Sequence, residues 1–273
     1  VVAGRLHGSV AKKSYADKNM TFFLTMVFMV LVFWRPQEWL VPGLYGWPIL
    51  DVIIGMAVIT FLMELNVGKV SIPKSTPQLY LLVGLWLAAI LSHVAHTYFA
   101  EMMKAMEDVF KIVFFTLLLF CVLDRPSRLR WVIVIFVCMA SVMAIHALMQ
   151  EKLGYGFAGA HPLYEPEWGG KPARFRSLFF GIFGDPNDLA QILATSIPLA
   201  FAMFRRWSFG NFICSSGFTV LLVLGITATH SRGGMIALVV VVAVIISLSL
   251  PSRLLPWIGL FISIIALLLC PYS

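Results

Sequence analysis

The sequence predicts an all-α fold, a polytopic transmembrane helical bundle of about nine spans with its N-terminus on the cytoplasmic side. Three observations predict it. Of the 273 residues, 60% are hydrophobic and only 12% charged, against about 45–50% and about 25% in soluble domains. The apolar residues fall in long continuous runs, where the strands of a membrane barrel would alternate polar and apolar side chains over about ten positions. The basic residues stand in short clusters between those runs, which is how topology signals are distributed. At a mean hydropathy of +0.91, no water-soluble fold could hide so much apolar surface, whereas a bilayer solvates it.

The elements follow from the runs in order. Residues 1–19 read as a cytoplasmic N-terminal tail or an upstream extension, since position 1 is Val and the first Met is Met20. The spans are then 21–34, 47–65, 79–95, 109–123, 131–149, 189–204, 212–228, 235–250 and 254–270. Several are shorter than the roughly 20 residues that cross hydrocarbon, so flanking aromatics must extend them. Spans 20–149 form an N-terminal helical region and 189–273 a second one. The last run stops at 271–273 without a polar tail, which reads as a truncated chain.

Orientation follows from Lys and Arg. With the N-terminus inside, the inner segments hold Arg5, Lys12, Lys13, Lys18, Lys69, Lys74, Arg125, Arg128, Arg130, Arg205, Arg206 and Arg253, twelve of the twenty basic residues. The outer set is Arg35, Lys104, Lys111, Lys152, Lys171, Arg174, Arg176 and Arg232. The longest non-apolar stretch, 150–188, is then external. It carries Gly154, Gly156, Gly159, Gly169, Gly170, Pro162, Pro166, Pro172 and Trp168, the make-up of an ordered loop on the outer membrane surface. The formal charge of +7 is spread over these clusters, so membrane lipids are expected partners and nucleic acid is not. Cys121, Cys138, Cys214 and Cys270 lie in or at the end of apolar runs without metal-ligand spacing and read as small buried hydrophobes.

Few residues offer chemistry. Arg35, Arg205, Arg206 and Arg253 read as boundary arginines snorkelling to headgroups. Arg232 differs, because Thr-His-Ser-Arg-Gly-Gly at 229–234 is a turn too short to reach far into water. An arginine fork beside a glycine-opened helix N-terminus suits phosphate, and a turn whose Arg meets lipid headgroups is the alternative. Ser231 and His230 flank it. The second cluster is Arg174-Phe175-Arg176-Ser177, then Gly181, Gly184 and Asp185-Pro186-Asn187-Asp188. Asp185 or Asn187 reads as a helix N-cap, with Asn187 and Asp188 as alternative ligand contacts. Arg174 and Arg176, on the predicted face of Arg232, add to an anion site that could stabilise a departing pyrophosphate. His93 and His96 read first as packing or interfacial histidines, with a proton relay or metal pair as the alternative; His146 reads the same way and His161 lies in the outer loop. Asp51 is the one isolated membrane carboxylate, and no Walker motif, dinucleotide fingerprint or metal cluster occurs.

These residues carry a resemblance. Arg-Phe-Arg-Ser with Phe-Gly-Asp-Pro-Asn-Asp-Leu-Ala at 183–190, and Thr-His-Ser-Arg-Gly-Gly about 40 residues on, resemble the O-antigen ligase and polymerase superfamily. Phe-Trp-Arg-Pro-Gln-Glu-Trp at 33–39 looks like the N-terminal portion of some ligase-like members. The resemblance implies a bacterial inner-membrane enzyme performing metal-independent, cofactor-free, inverting glycosyl transfer on the periplasmic face. It implies a glycan donor on undecaprenyl pyrophosphate, and as acceptor lipid A core, a growing glycan or a protein hydroxyl. Arg176 (or Arg174) and Arg232 would bind the donor pyrophosphate, with Asn187, Asp188, His230 and Ser231 in support. In that family the histidine base that deprotonates the acceptor lies in a large later periplasmic loop. None of His93, His146, His161 or His230 occupies that place, so the catalytic base is expected beyond Ser273 and this stretch alone is expected to be inactive. A polytopic transporter or flippase of lipid-linked glycans, or a non-catalytic membrane partner, is the competing reading, although no internal repeat or paired broken helices support a transporter.

Overall fold

The computed structural model describes residues 19–44, 46–72, 77–167, 173–203 and 209–249. The expected tail at 1–18, the ninth span at 254–270, and Trp168, Lys171, Arg205, Arg206 and Arg253 lie outside the described residues. Nine α-helices are described: α1 Met20–Trp34, α2 Pro36–Trp39, α3 Ile49–Asn66, α4 Pro77–Ala95, α5 Phe99–Val122, α6 Pro126–Leu153, α7 Pro186–Met203, α8 Phe209–Ala228 and α9 Arg232–Ser249. The eight longer ones coincide with the first eight apolar runs. Helices α5 and α6 extend beyond their apolar runs. Helix α5 begins ten residues before its apolar run, carrying Glu101 in its first turn, because an acidic side chain there complements the helix dipole. Helix α6 continues through Leu153 until Gly154 caps it in the left-handed conformation, its N–H donating to the Gln150 carbonyl, as C-terminal glycines do.

Helices α3, α4 and α6 are long and apolar enough to cross a membrane, and apolar stretches of α1, α5, α8 and α9 are shorter. The exposed surface of α3, α4 and α5 is rich in Val, Ile, Leu, Met and Phe, surface that water would not tolerate on this scale. This is a helical membrane protein.

Helix α7 packs against α6, α8 and α9, and α1 packs on α3, α5 and α6. Small residues line the tightest contacts. A Cβ on Gly225 of α8 would come within 2.7 Å of Ala144 Cβ on α6, and one on Gly234 of α9 would collide with Ala190 of α7. Close backbone approach at small residues is how helices associate where lipid removes the hydrophobic drive. The main core gathers Met143, Ala144, Ala147, Leu189, Leu193, Ile197, Leu222 and Ile226 with Phe179 and Phe183 of the 150–188 segment. That segment is ordered, as expected, but not purely irregular. It holds a two-stranded antiparallel hairpin, β1 Leu163–Glu165 and β2 Arg174–Arg176, so the all-α expectation is corrected by one hairpin.

Several isolated side chains find plain structural roles. Asp51 is not isolated: Lys111 pairs with it at 3.1 Å and with Glu107 at 2.8 Å. His93 and His96 bond the carbonyls of Ala89 and Ser92 on their own helix. Cys121 is buried, while Cys138 and Cys214 face outward rather than inward. Arg35 pairs with Glu38, and its side chain lies where a Cβ on Gly181 would sit. Trp39 stacks on Phe157 with ring centroids 5.1 Å apart and Phe33 meets Phe183 at 5.6 Å. The 33–39 segment is thereby docked on the loop segment that carries the site.

Candidate functional site

Hairpin register positions the first two arginines. Leu163 pairs with Arg176, Tyr164 with Phe175 and Glu165 with Arg174. Side chains alternate along a strand, so Glu165, Arg174 and Arg176 share one face while Tyr164 and Phe175 form an aromatic pair on the other, 5.2 Å apart. Arg174 donates from Nε to Glu165 Oε2 at 2.7 Å. Arg176 donates from Nη1 to Glu165 Oε1 at 2.6 Å, from Nη2 to Asn187 Oδ1 at 2.9 Å and from Nε to the Thr229 carbonyl at 3.3 Å. Two guanidiniums thus share one carboxylate. The Arg176 and then the Arg174 hydrogen bonds hold the Glu165 carboxyl below its ordinary pKa, because both stabilise the charged form.

The α7 start supplies the next part. Asp185 Oδ1 accepts the Asn187 N–H at 2.6 Å and Pro186 opens the helix, so Asp185 is the N-cap and proline sits where its missing donor costs nothing. Asn187 is then free to look outward from the helix end. Its Oδ1 accepts from Arg176 and also from Ser231 Oγ at 2.7 Å. Asp188 is exposed in the first turn and makes no hydrogen bond to this chain of groups.

The turn between α8 and α9 completes it. His230 adopts a left-handed backbone, φ 48°, which a non-glycine residue reaches only at a cost. That lets three residues, 229–231, reverse the chain. Ser231 is buried and its Oγ accepts the Gly234 N–H at 3.0 Å, a helix N-cap. The expectation that two glycines leave the first N–H groups of this helix open is therefore corrected for one of them: Gly234 is capped, and its lack of a Cβ serves close packing on Ala190. Arg232 is the first residue of α9 and exposed. Among the described residues it makes no ion pair or side-chain hydrogen bond.

The three motif segments thus meet through one acceptor, Asn187 Oδ1, which joins Arg176 to Ser231 across sequence separations of 11 and 44 residues. Arg176 is nearly buried and its fork is satisfied by protein atoms; among the described residues Arg174 is held by Glu165 alone and Arg232 has no partner. Beside them lies a cleft of ≈ 660 Å³ lined by Gln150, Glu151, His161, Tyr164, Arg174 and His230 among others. Buried Gln150 braces it, donating to the Ala160 carbonyl at 3.2 Å and accepting the Leu178 N–H at 3.0 Å. His146 is fully buried among Phe157, Phe179 and Phe180, accepting the Phe157 N–H, so it serves packing. No group of three or more metal-ligating side chains exists among the described residues.

Glu165 and Gln150 are absent from the residues that sequence reasoning selects. Glu165 had a signal, since Leu-Tyr-Glu and Arg-Phe-Arg flank a Pro- and Gly-rich stretch in the manner of a hairpin. Gln150 had none, being one amide at the edge of an apolar run. Comparison with protein-family models, with curated proteins and with solved structures finds no match to this chain.

Proposed function

We propose that this membrane protein is a glycosyltransferase of the O-antigen ligase type, multi-pass in a bacterial inner membrane, transferring a glycan from undecaprenyl pyrophosphate to an acceptor hydroxyl. In this reading the chain makes about nine spans with a cytoplasmic N-terminus, and the 150–188 segment and the α8–α9 turn face the periplasm. The observation that carries the reading is the Arg176–Asn187–Ser231 hydrogen-bond chain, which draws the three segments of the resemblance into one place. Segments with independent structural duties have no reason to converge on a single amide oxygen.

The chemistry follows from what each group has left to give. Arg232, exposed at the first turn of α9, offers an uncommitted planar fork of donors at the positive end of a helix dipole. Arg174, half-exposed beside the cleft, offers a second. A pyrophosphate leaving group gains charge as the glycosyl bond breaks, and donors fixed before that moment stabilise it without reorganising. Arg176, Asn187 and Ser231 hold the frame; Asp188 and His230 border it. No general base is assigned among the described residues.

Arg232→Lys tests this, because lysine keeps the charge and loses the fork. In membranes containing the full-length protein and supplied with lipid-pyrophosphate-linked glycan and acceptor, transfer should fall about 100-fold, the loss typical of one transition-state donor, with unchanged insertion and protein level. Full activity of the variant would remove Arg232 from the site. Movement of the lipid-linked glycan across the bilayer without any acceptor would instead identify a flippase.

A further inference from the structure

We infer that Glu165 is an internal anion that holds Arg174 and Arg176 while the site is empty and yields them to an incoming phosphate-class anion. The inference rests on the anion-binding reading of these arginines and adds how the site is kept until ligand arrives. Both oxygens of the one carboxylate are used. Oε1 takes Arg176 Nη1 at 2.6 Å, and Oε2 takes Arg174 at 2.7 Å through both Nε and Nη2. A carboxylate bridging two guanidiniums occupies donors that phosphate oxygens would take, and it leaves the trio one positive charge in excess.

The two arginines are held in different ways. Arg176 has two anchors besides Glu165, the Thr229 carbonyl and Asn187 Oδ1, so its guanidinium stays oriented if Glu165 leaves and presents Nη1 to the newcomer. Among the described residues Arg174 is bonded to Glu165 alone, its side chain is 40% exposed, and it lines the ≈ 660 Å³ cleft. Release of Glu165 therefore frees one preset donor and one mobile donor on the same strand face. Glu165 can leave, since its side chain is 32% exposed and β1 is held to β2 by three residue pairs, in a two-stranded hairpin, which is marginal by itself.

The test measures binding of inorganic pyrophosphate to the purified full-length protein in nanodiscs of neutral phosphatidylcholine, by calorimetry. Glu165→Gln keeps the shape and removes the competing charge, so affinity should rise about 10-fold, and adding Arg174→Gln should cancel the gain. Glu165→Asp keeps the charge but cannot span both guanidiniums, and should give a smaller rise; it covers the case in which Glu165→Gln does not fold. Equal or weaker binding by a folded variant shows Glu165 to be scaffold and overturns the inference, while leaving the arginine site intact. Absence of pyrophosphate binding in wild type and variants alike overturns the anion-site reading and the inference with it. In discs containing phosphatidylglycerol, a gain that persists marks pyrophosphate as the displacing anion and a gain that disappears marks a lipid phosphate; either outcome keeps Glu165 as the displaced group.

Discussion

Arginine is used here in three physical states. Arg176 is nearly buried and bonded through Nε, Nη1 and Nη2 to three different residues; Arg174 shares one carboxylate with it; Arg232 stands in solvent. The consequences of a lysine differ accordingly, although each change keeps the charge. Arg176→Lys can replace one of the three bonds, leaving Asn187 or the Thr229 carbonyl short of a donor, and should cost about 2 kcal/mol of stability. Arg232→Lys should stay within about 0.5 kcal/mol, as exposed substitutions away from packed features do. Thermal unfolding of both variants in the same detergent checks this: a fall in Tm for the first and none for the second. A fall for Arg232→Lys would mean that Arg232 supports the fold, and its effect on transfer would then lose its meaning.

Helices and hairpin divide the structural work by how closely they must approach. On α9, neighbouring glycines have opposite value. Gly234 faces Ala190, where a Cβ finds no room, whereas a Cβ on Gly233 would meet nothing nearer than Ser231 Oγ at 3.9 Å. Gly234→Ala should therefore cost about 1–3 kcal/mol by forcing α9 away from α7, and Gly233→Ala should be neutral or stabilise by up to about 1 kcal/mol through helix propensity; denaturant or thermal unfolding separates the two. The hairpin instead depends on charge. Because Glu165 titrates lower when folded than when unfolded, its contribution is complete above the ordinary glutamate pKa of 4.5 and is lost as pH falls through the lowered value. The Tm difference between wild type and Glu165→Gln should accordingly hold from neutral pH down to that range and shrink below it. A difference that grew on acidification would show that Glu165 does not act as a paired carboxylate.

At the scale of the whole molecule, the proposed orientation puts 124–130 inside and the cleft outside. With native cysteines replaced, Ser127→Cys should resist a membrane-impermeant maleimide added from outside and react after permeabilisation, whereas His161→Cys should react at once. The reverse pattern would invert the topology and place the arginine site in the cytoplasm. Much of the architecture was legible in the chain itself: eight apolar runs predicted the eight long helices, since continuous apolar sequence has few options but to form helices in a bilayer and each decision is made within some 20 residues. Asp185 and Pro186 were likewise readable as a helix start, because capping chemistry is local. Tertiary structure alone decided that Glu165 takes both arginines, that Asn187 accepts from Arg176 and from Ser231, 11 and 44 residues away, that Gly234 serves packing, and that Arg232 has no partner among the described residues. Those outcomes depend on which surfaces meet when α6, α7, α8 and α9 close around small residues, and neither spacing nor composition carries the distance between side chains on different helices.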